Sequence, residues 1–175
     1  FFFDAAMVFF FVSILALLAL GCHADSHTNI YGEALAKCEG AHANNMAGSG
    51  EYGACTFRSY DRGAHQVCVG ALPADFSYNT GQGRWSDEFE GKNWCICIWA
   101  YANWVTNQHT DLQIKCDAIS SSVLDSDFAA SHFRMGTRNY LDAVRNMCAT
   151  CEAQAPTDKA RKELEKTCAK WEATQ

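Results

Sequence analysis

Positive charge is what this chain lacks first. It carries 14 Lys and Arg against 20 Asp and Glu, a formal net charge of -6, with the two signs interspersed. No basic stripe and no alternation of basic and aromatic residues is available to follow a phosphate backbone and stack bases, which excludes nucleic acid as a partner. There is no Asn-x-Ser/Thr acceptor, so N-glycosylation marks no surface position. Nor does a Ser/Arg-rich, acid-poor tract follow the apolar start, which excludes an organelle transit peptide.

What is present is apolar mass and sulfur. Of the 175 residues 49% are hydrophobic and 13% aromatic, enough to bury one core and too many for a disordered chain. The length suits one domain with an appendage. Ten cysteines in so short a chain ask for disulfides, metal or thiol chemistry, and the compartment decides which. Met7–Leu20 is an apolar run followed by Gly21-Cys22-His23-Ala24, where Cys22 and Ala24 fit the minus-three and minus-one positions of a signal-peptidase site. Residues 1–24 therefore read as a short leader before Met7 plus a signal peptide. The competing reading, a membrane anchor, needs about 18 apolar residues, and this run falls short of that. A lipid-attachment reading at Cys22 is weakened by Ala19, which sits where a larger aliphatic residue is wanted. The expectation is secretion or residence in an endomembrane lumen, with no stable membrane insertion once the signal is removed.

From Asn29 to Cys38 the chain reads as an extended entry with a Gly turn. A loop of small residues from 39 to 53 follows, with Cys38 and Cys55 at its ends. Gln66–Ala71 has Val67 and Val69 on one face and Cys68 on the other, a buried strand, after which Pro73 opens a helix. Trp94 to about Ile98 reads as a strand running into a helix that ends near Asn107. Asp111–Cys116 is another strand, and the Ser120 cluster caps a helix reaching His132. Leu141, Val144, Cys148 and Cys151, then Ala160, Leu164, Cys168 and Trp171, follow steps of three and four with Pro156 between, an antiparallel helical hairpin. Asp158 with Lys162 and Arg161 with Glu165 are opposite charges at i,i+4 on its second helix. The fold class expected is α+β, a small mixed β-sheet with flanking helices, divided as 25–133 for the Cys-rich domain and 134–175 for the hairpin extension.

Two stretches carry site chemistry, Asp61-Arg-Gly-Ala-His65-Gln-Val-Cys68 and Asn93-Trp-Cys95-Ile-Cys97. Cys38, Cys55, His65, Cys68, Cys95 and Cys97 offer the thiolate and imidazole ligands that zinc prefers. Alternatively these cysteines form disulfides around a core His. Asp61 and His65 could orient and activate Cys68 as a nucleophile, although a cysteine inside a buried strand is ordinarily inert. Cys148-x-x-Cys151 has redox-motif spacing, but on the buried face of a helix in an oxidising lumen it reads as a structural staple. Trp85, Trp94, Trp99 and Trp104 read as packing residues, with a sugar-binding platform as the alternative.

Asn29-x-x-Gly32 with Leu35-x-x-Cys38, then Gly53-x-Cys55, Asp61-x-Gly63-x-His65-x-Val67-Cys68 and Trp94-Cys95-x-Cys97 together resemble the hallmarks of a family of small, mostly bacterial proteins of unknown function, DUF2237. The resemblance covers about residues 29–132. It implies no reaction, since the family has none assigned. The chain departs from the pattern at Ala54, where the family usually has a second Cys, in the shorter loop at Thr80–Arg84, and at Ala118 or Ile119, where a His follows the last strand. Members of the family generally lack a signal peptide yet carry these cysteines, which keeps metal or free-thiol chemistry open beside disulfides. The functional expectation is a disulfide-stabilised binding or interaction module with a protein or small-molecule partner. The alternative is a metal-binding protein, with zinc as the cofactor, or a thiol-dependent enzyme.

The resemblance also splits the cysteines. Cys38, Cys55, Cys68, Cys95 and Cys97 fall on family positions, whereas Cys116, Cys148, Cys151 and Cys168 do not. In the hairpin, a turn near Thr157 sets Cys168 opposite Cys148, within the roughly 7 Å between Cα atoms that a bridge allows, and leaves Cys151 for Cys116. A second helix starting at Pro156 would shift this register by half a turn and leave the pairing open. Sequencing the N-terminus of the secreted protein is expected to give Asp25 as its first residue. A chain that retains Val8–Leu20 and stays with membranes through a carbonate wash would be an anchored protein instead.

Overall fold

The computed structural model describes residues 27–40, 53–56, 65–107, 112–125 and 138–175. The signal segment, the greater part of the small-residue loop, Asp61 and the continuation of the Ser120 helix to His132 lie outside them. Three strands form the sheet in the order β2-β1-β3: β1 is Val67–Gly70, β2 Trp94–Ile96 and β3 Gln113–Ile114. β1 is central, with Val67 opposite Ile96, Cys68 opposite Cys95, Val69 opposite Trp94, and then Val69 opposite Ile114.

Both pairings are antiparallel, which corrects the expected mixed sheet while the α+β class stands. The cause lies in the two connections. The segment between β1 and β2 is long but returns on itself: Leu72 N–H donates to Lys92 O at 2.8 Å and Gly91 N–H to Leu72 O at 2.9 Å, so antiparallel pairing continues past the strand ends. Gly91 makes this return at φ 73°, a conformation that a side chain disfavours. β2 and β3 are joined through helix α2 (Ile98–Thr106) and run parallel to each other, with β1 inserted between them. The unit is a split β-α-β arrangement without a parallel pair.

All four residues of β1 are buried, because each face meets a different layer. Val67 and Val69 enter the main core with Ile30, Phe76, Trp94, Ile96, Tyr101 and Trp104. Cys68 points to a smaller cluster with Cys38, Cys55, Cys95 and Ala118. The helix expected after Pro73 is α1, Phe76–Asn79, a single turn, and a 3-10 turn at Trp85–Phe89 follows it. The hydroxyls of buried Ser77 and Ser86 lie 2.9 Å apart, and Ser86 Oγ donates to Ala74 O at 2.6 Å, fastening one turn to the other. Ser120 accepts from Ser122 N–H as the N-cap of a 3-10 turn at Ser121–Leu124, which ends at an extended Asp125, so the Ser cluster caps one 3-10 turn and not the start of the long helix expected there.

The hairpin consists of α3, Arg138–Ala153, and α4, Asp158–Glu172, with Thr157 capping α4 by accepting from Ala160 N–H at 3.1 Å. Its buried side joins the main core through Tyr140, Ala143, Val144, Met147, Cys151, Leu164 and Trp171, so the extension completes the domain. Leu141 and Cys148 are only partly buried, because α3 turns its apolar face between α2 and α4 and those two residues fall at the edge. Tyr101 Oη donates to Asn146 Oδ1 at 2.7 Å across the α2–α3 contact. Asp158 pairs with Arg161 at 2.9 Å one turn on, a closer partner than Lys162, and Arg145 of α3 meets Glu172 of α4.

Tyr31 ties the entry segment to the hairpin, its Oη donating to Cys151 O at 2.8 Å in a buried position. Its turn is set by Asn29, whose Oδ1 accepts from Tyr31 N–H and Glu33 N–H, both at 3.0 Å. Burial pushes the Tyr31 phenol up to about 12, with the carboxylates of Asp117 and Glu33 adding to it. Tyr140 is also held at about 12, chiefly by burial. A phenol whose folded value lies above the ordinary value near 10 contributes stability in full below about pH 10, and that contribution is lost as the pH rises toward 12. Ultraviolet titration should therefore show Tyr31 and Tyr140 ionising late and together with unfolding. Tyr31→Phe should remove one late phenolate and flatten the loss of stability between about pH 10 and 12.

Candidate functional site

β2 stands between two candidate sites. On one side the sulfurs gather. Cys68 and Cys95 face each other across the β1–β2 ladder, but each is bonded outward: Cys38 to Cys68 with Cα atoms 5.6 Å apart, and Cys55 to Cys95 with Cα atoms 5.4 Å apart. Direct cross-strand neighbours have their side chains on one face, so the two bridges lie side by side. The Sγ atoms of Cys38, Cys55 and Cys95 all fall within 4.8 Å of one another. Cys38 N–H donates to Gly53 O at 2.9 Å, which holds together the two ends of the intervening loop.

On the other side is a cavity of about 290 Å³ lined by His65, Phe76, Gln82, Trp85, Phe89, Trp94, Cys95, Ile96 and Cys97. Its wall is a chain of rings. Phe89 and Trp94 have centroids 4.5 Å apart, Trp85 and Trp94 5.3 Å, and Phe76 and Trp85 6.2 Å in an edge-on arrangement. Phe76 continues the chain inward to Trp104 at 5.4 Å. Trp94 comes from β2, Phe76 from α1, and Trp85 and Phe89 from the 3-10 turn that the Ser77–Ser86 pair fastens. The Gln82 amide donates to Thr80 Oγ1 at 2.8 Å. Two cations flank the aromatic lobe, the Arg84 guanidinium 4.8 Å over the Tyr78 ring and Lys92 Nζ 5.5 Å over Phe89. Tyr78 is 60% exposed, unusual for so large a ring in this fold.

The residues nominated from the sequence are thus divided. Cys38, Cys55, Cys68 and Cys95 meet in the sulfur cluster, in the disulfide state, where none presents a thiolate to a metal or a substrate. Cys68 accordingly has no nucleophilic thiol to complete an Asp61-His65-Cys68 trio, and Asp61 lies outside the described residues. His65 and Cys97 stand in the wall of the aromatic cavity, and neither belongs to the group of sulfurs within 4.8 Å. Cys116 is bonded to Cys151 and Cys148 to Cys168, with Cα atoms 5.4 Å and 6.3 Å apart. Phe76, Gln82 and Phe89 were not nominated as site residues. The density of rings between positions 76 and 104 was the available signal, and it reads equally well as core packing.

Four disulfides between Cys38 and Cys168 define the class as a disulfide-stabilised, cysteine-rich α+β domain of an oxidising environment, since such bridges do not persist against cytosolic thiols. Among the described residues no helix is long and apolar enough to cross a membrane. Comparison with family models, with curated proteins and with solved structures found no match to the chain.

The Cys116–Cys151 bridge clamps the hairpin to the end of β3, whereas the aromatic cavity is built elsewhere. Replacing both cysteines by Ser should cost on the order of 2 to 4 kcal/mol of unfolding free energy, read from the denaturant midpoint.

Proposed function

We propose that this chain is a secreted or lumenal binding module whose ligand is a small, largely apolar, ring-bearing molecule held in the aromatic cavity. The observation that carries this reading is the wall itself: Phe76, Trp85, Phe89 and Trp94 in a continuous series of ring contacts around about 290 Å³. That volume stands at the lower end of the range for ligand pockets, about 300 to 1,000 Å³, and suits one or two rings better than a peptide. Apolar walls with a few hydrogen-bonding groups are the usual composition of such pockets. His65 and Gln82 supply those groups here. Aromatic faces gain both from area burial and from offset or edge-on stacking, each ring pair adding about 0.5 to 1.5 kcal/mol. The disulfides beside β2 serve this role by holding the strand that bears Trp94.

The signal-like segment at Met7–Leu20 and the four disulfides both support an extracellular or lumenal setting. We also propose a distant relationship to DUF2237. What supports it is that the bridges join family-position cysteines to one another, Cys38 to Cys68 and Cys55 to Cys95, and the remaining four to one another.

A panel of indole, phenol, cyclohexanol and a hexose, titrated while tryptophan emission and the melting temperature are followed, tests the ligand class. Indole or phenol should quench emission saturably and raise the melting temperature, and Trp94→Ala or Phe89→Ala should weaken that binding at least about tenfold, the equivalent of roughly 1.4 kcal/mol. Saturable binding of the hexose in preference to indole would reassign the cavity to sugar recognition. Absence of saturable quenching across the panel would remove the reading.

A further inference from the structure

The paired bridges behind β2 carry a second inference, independent of the aromatic cavity. We propose that Cys38, Cys55, Cys68 and Cys95 form a tetrahedral zinc site when both bridges are reduced, so that the same four side chains clamp the sheet covalently in one redox state and through a metal in the other.

The geometry points to this in three ways. A zinc ion holds thiolates at about 2.3 Å, which places tetrahedral sulfurs about 3.8 Å apart. The Sγ atoms of Cys38, Cys55 and Cys95 already lie within 4.8 Å of one another; Cys68 Sγ stands outside that group but in the same buried cluster, and, bonded to Cys38, it has to swing toward the other three once that bridge opens. Small movements of side chains convert one arrangement into the other. Next, the backbone that presents these groups does not depend on the bridges alone. Cys68 and Cys95 are held opposite each other by the β1–β2 ladder, Lys115 N–H donates to Cys68 O at 3.0 Å, and Cys38 N–H is bound to Gly53 O. Finally, all four cysteines are at most 2% exposed and have Ala118 and Ala36 as small apolar neighbours, a water-poor setting in which a bound ion is shielded from competing ligands.

The balance of the conversion is simple. Two equivalents of a dithiol reductant each give up two electrons and two protons and leave as disulfides, and the Cys38–Cys68 and Cys55–Cys95 bonds become four thiols. Zinc then binds the four sulfurs and displaces four protons to solvent, leaving a tetrathiolate complex. No electron transfer involves the metal, and two equivalents of the disulfide form of the reductant, taking back the four electrons and returning to dithiol, re-form both bridges and release it.

The test uses the mature chain, reduced anaerobically with excess dithiol, desalted to remove it, loaded with zinc or cobalt and desalted again. The expected result is one metal per chain, a four-sulfur shell at about 2.3 Å by X-ray absorption, and the visible bands of tetrahedral cobalt thiolate. The loaded, reduced chain should keep the helical circular dichroism and melting cooperativity that the metal-free reduced chain loses. Cys38→Ser and Cys55→Ser should each weaken binding by more than about 100-fold, since even the outer partners of a metal site are worth 10- to 100-fold. Cys148→Ser/Cys168→Ser, which removes a bridge outside the cluster, should bind as the unmodified chain does. A shell containing imidazole nitrogen, metal held by a chain that stays unfolded, equal binding after Cys38→Ser, or no metal retained after desalting would each overturn the proposal.

Discussion

The facing of Cys68 and Cys95 across the β1–β2 ladder is the contact on which the rest of the structure depends. β1 has four residues and β3 two, too little backbone pairing to hold a sheet in water unaided. What makes so small a sheet a scaffold is burial on both faces, apolar side chains toward the helices and sulfur toward the entry segment. Each half of the sulfur pair reaches out to a different end of the 38–55 loop, so one cross-strand contact fastens both ends of that loop to the sheet. A long polar loop costs closure entropy, and bridges at its two ends restrict the unfolded chain correspondingly.

The second bridge system acts at a different level. The hairpin is amphipathic enough to pack on its own account, and Val144, Met147, Leu164 and Trp171 place it in the same core as the sheet. Cys148 and Cys168 join its two helices, and Cys116 and Cys151 join it to β3. Tyr31 adds a hydrogen bond to the carbonyl of Cys151 from the opposite end of the chain. The N-terminal segment, the sheet and the hairpin thus converge on one turn of α3. Such convergence gives a domain of modest size a single cooperative unit where its core alone would be marginal.

The two candidate sites follow from that division of labour. β2 alternates Trp94 and Ile96 with Cys95, and Cys97 ends it. The strand therefore carries an aromatic wall and a sulfur cluster within four residues. The cavity owes its shape to packing between Trp94 and a 3-10 turn fastened by two buried serines, neither of which stands out by composition.

The sequence by itself determined the elements whose signal is local. The alternation in Val67-Cys68-Val69, the strand running into a helix at Trp94–Thr106 and the three-four spacing of the hairpin are written in periodicities of two and 3.6, and they needed no partner to be read. Helical spacing about a turn near Thr157 offered Cys168 to Cys148 but left the pairing open, and the start of α4 at Asp158 decided it. Tertiary structure decided what depends on meetings between distant segments. The antiparallel return of β2 onto β1 rests on the Leu72–Lys92 pairing, which no residue type announces. Which of the core cysteines bond to one another depends on the approach of the 38–55 loop to the sheet. Whether Phe76, Trp85, Phe89 and Trp94 fill a core or enclose a cavity depends on how closely three separate elements approach, and aromatic residues serve both arrangements equally well.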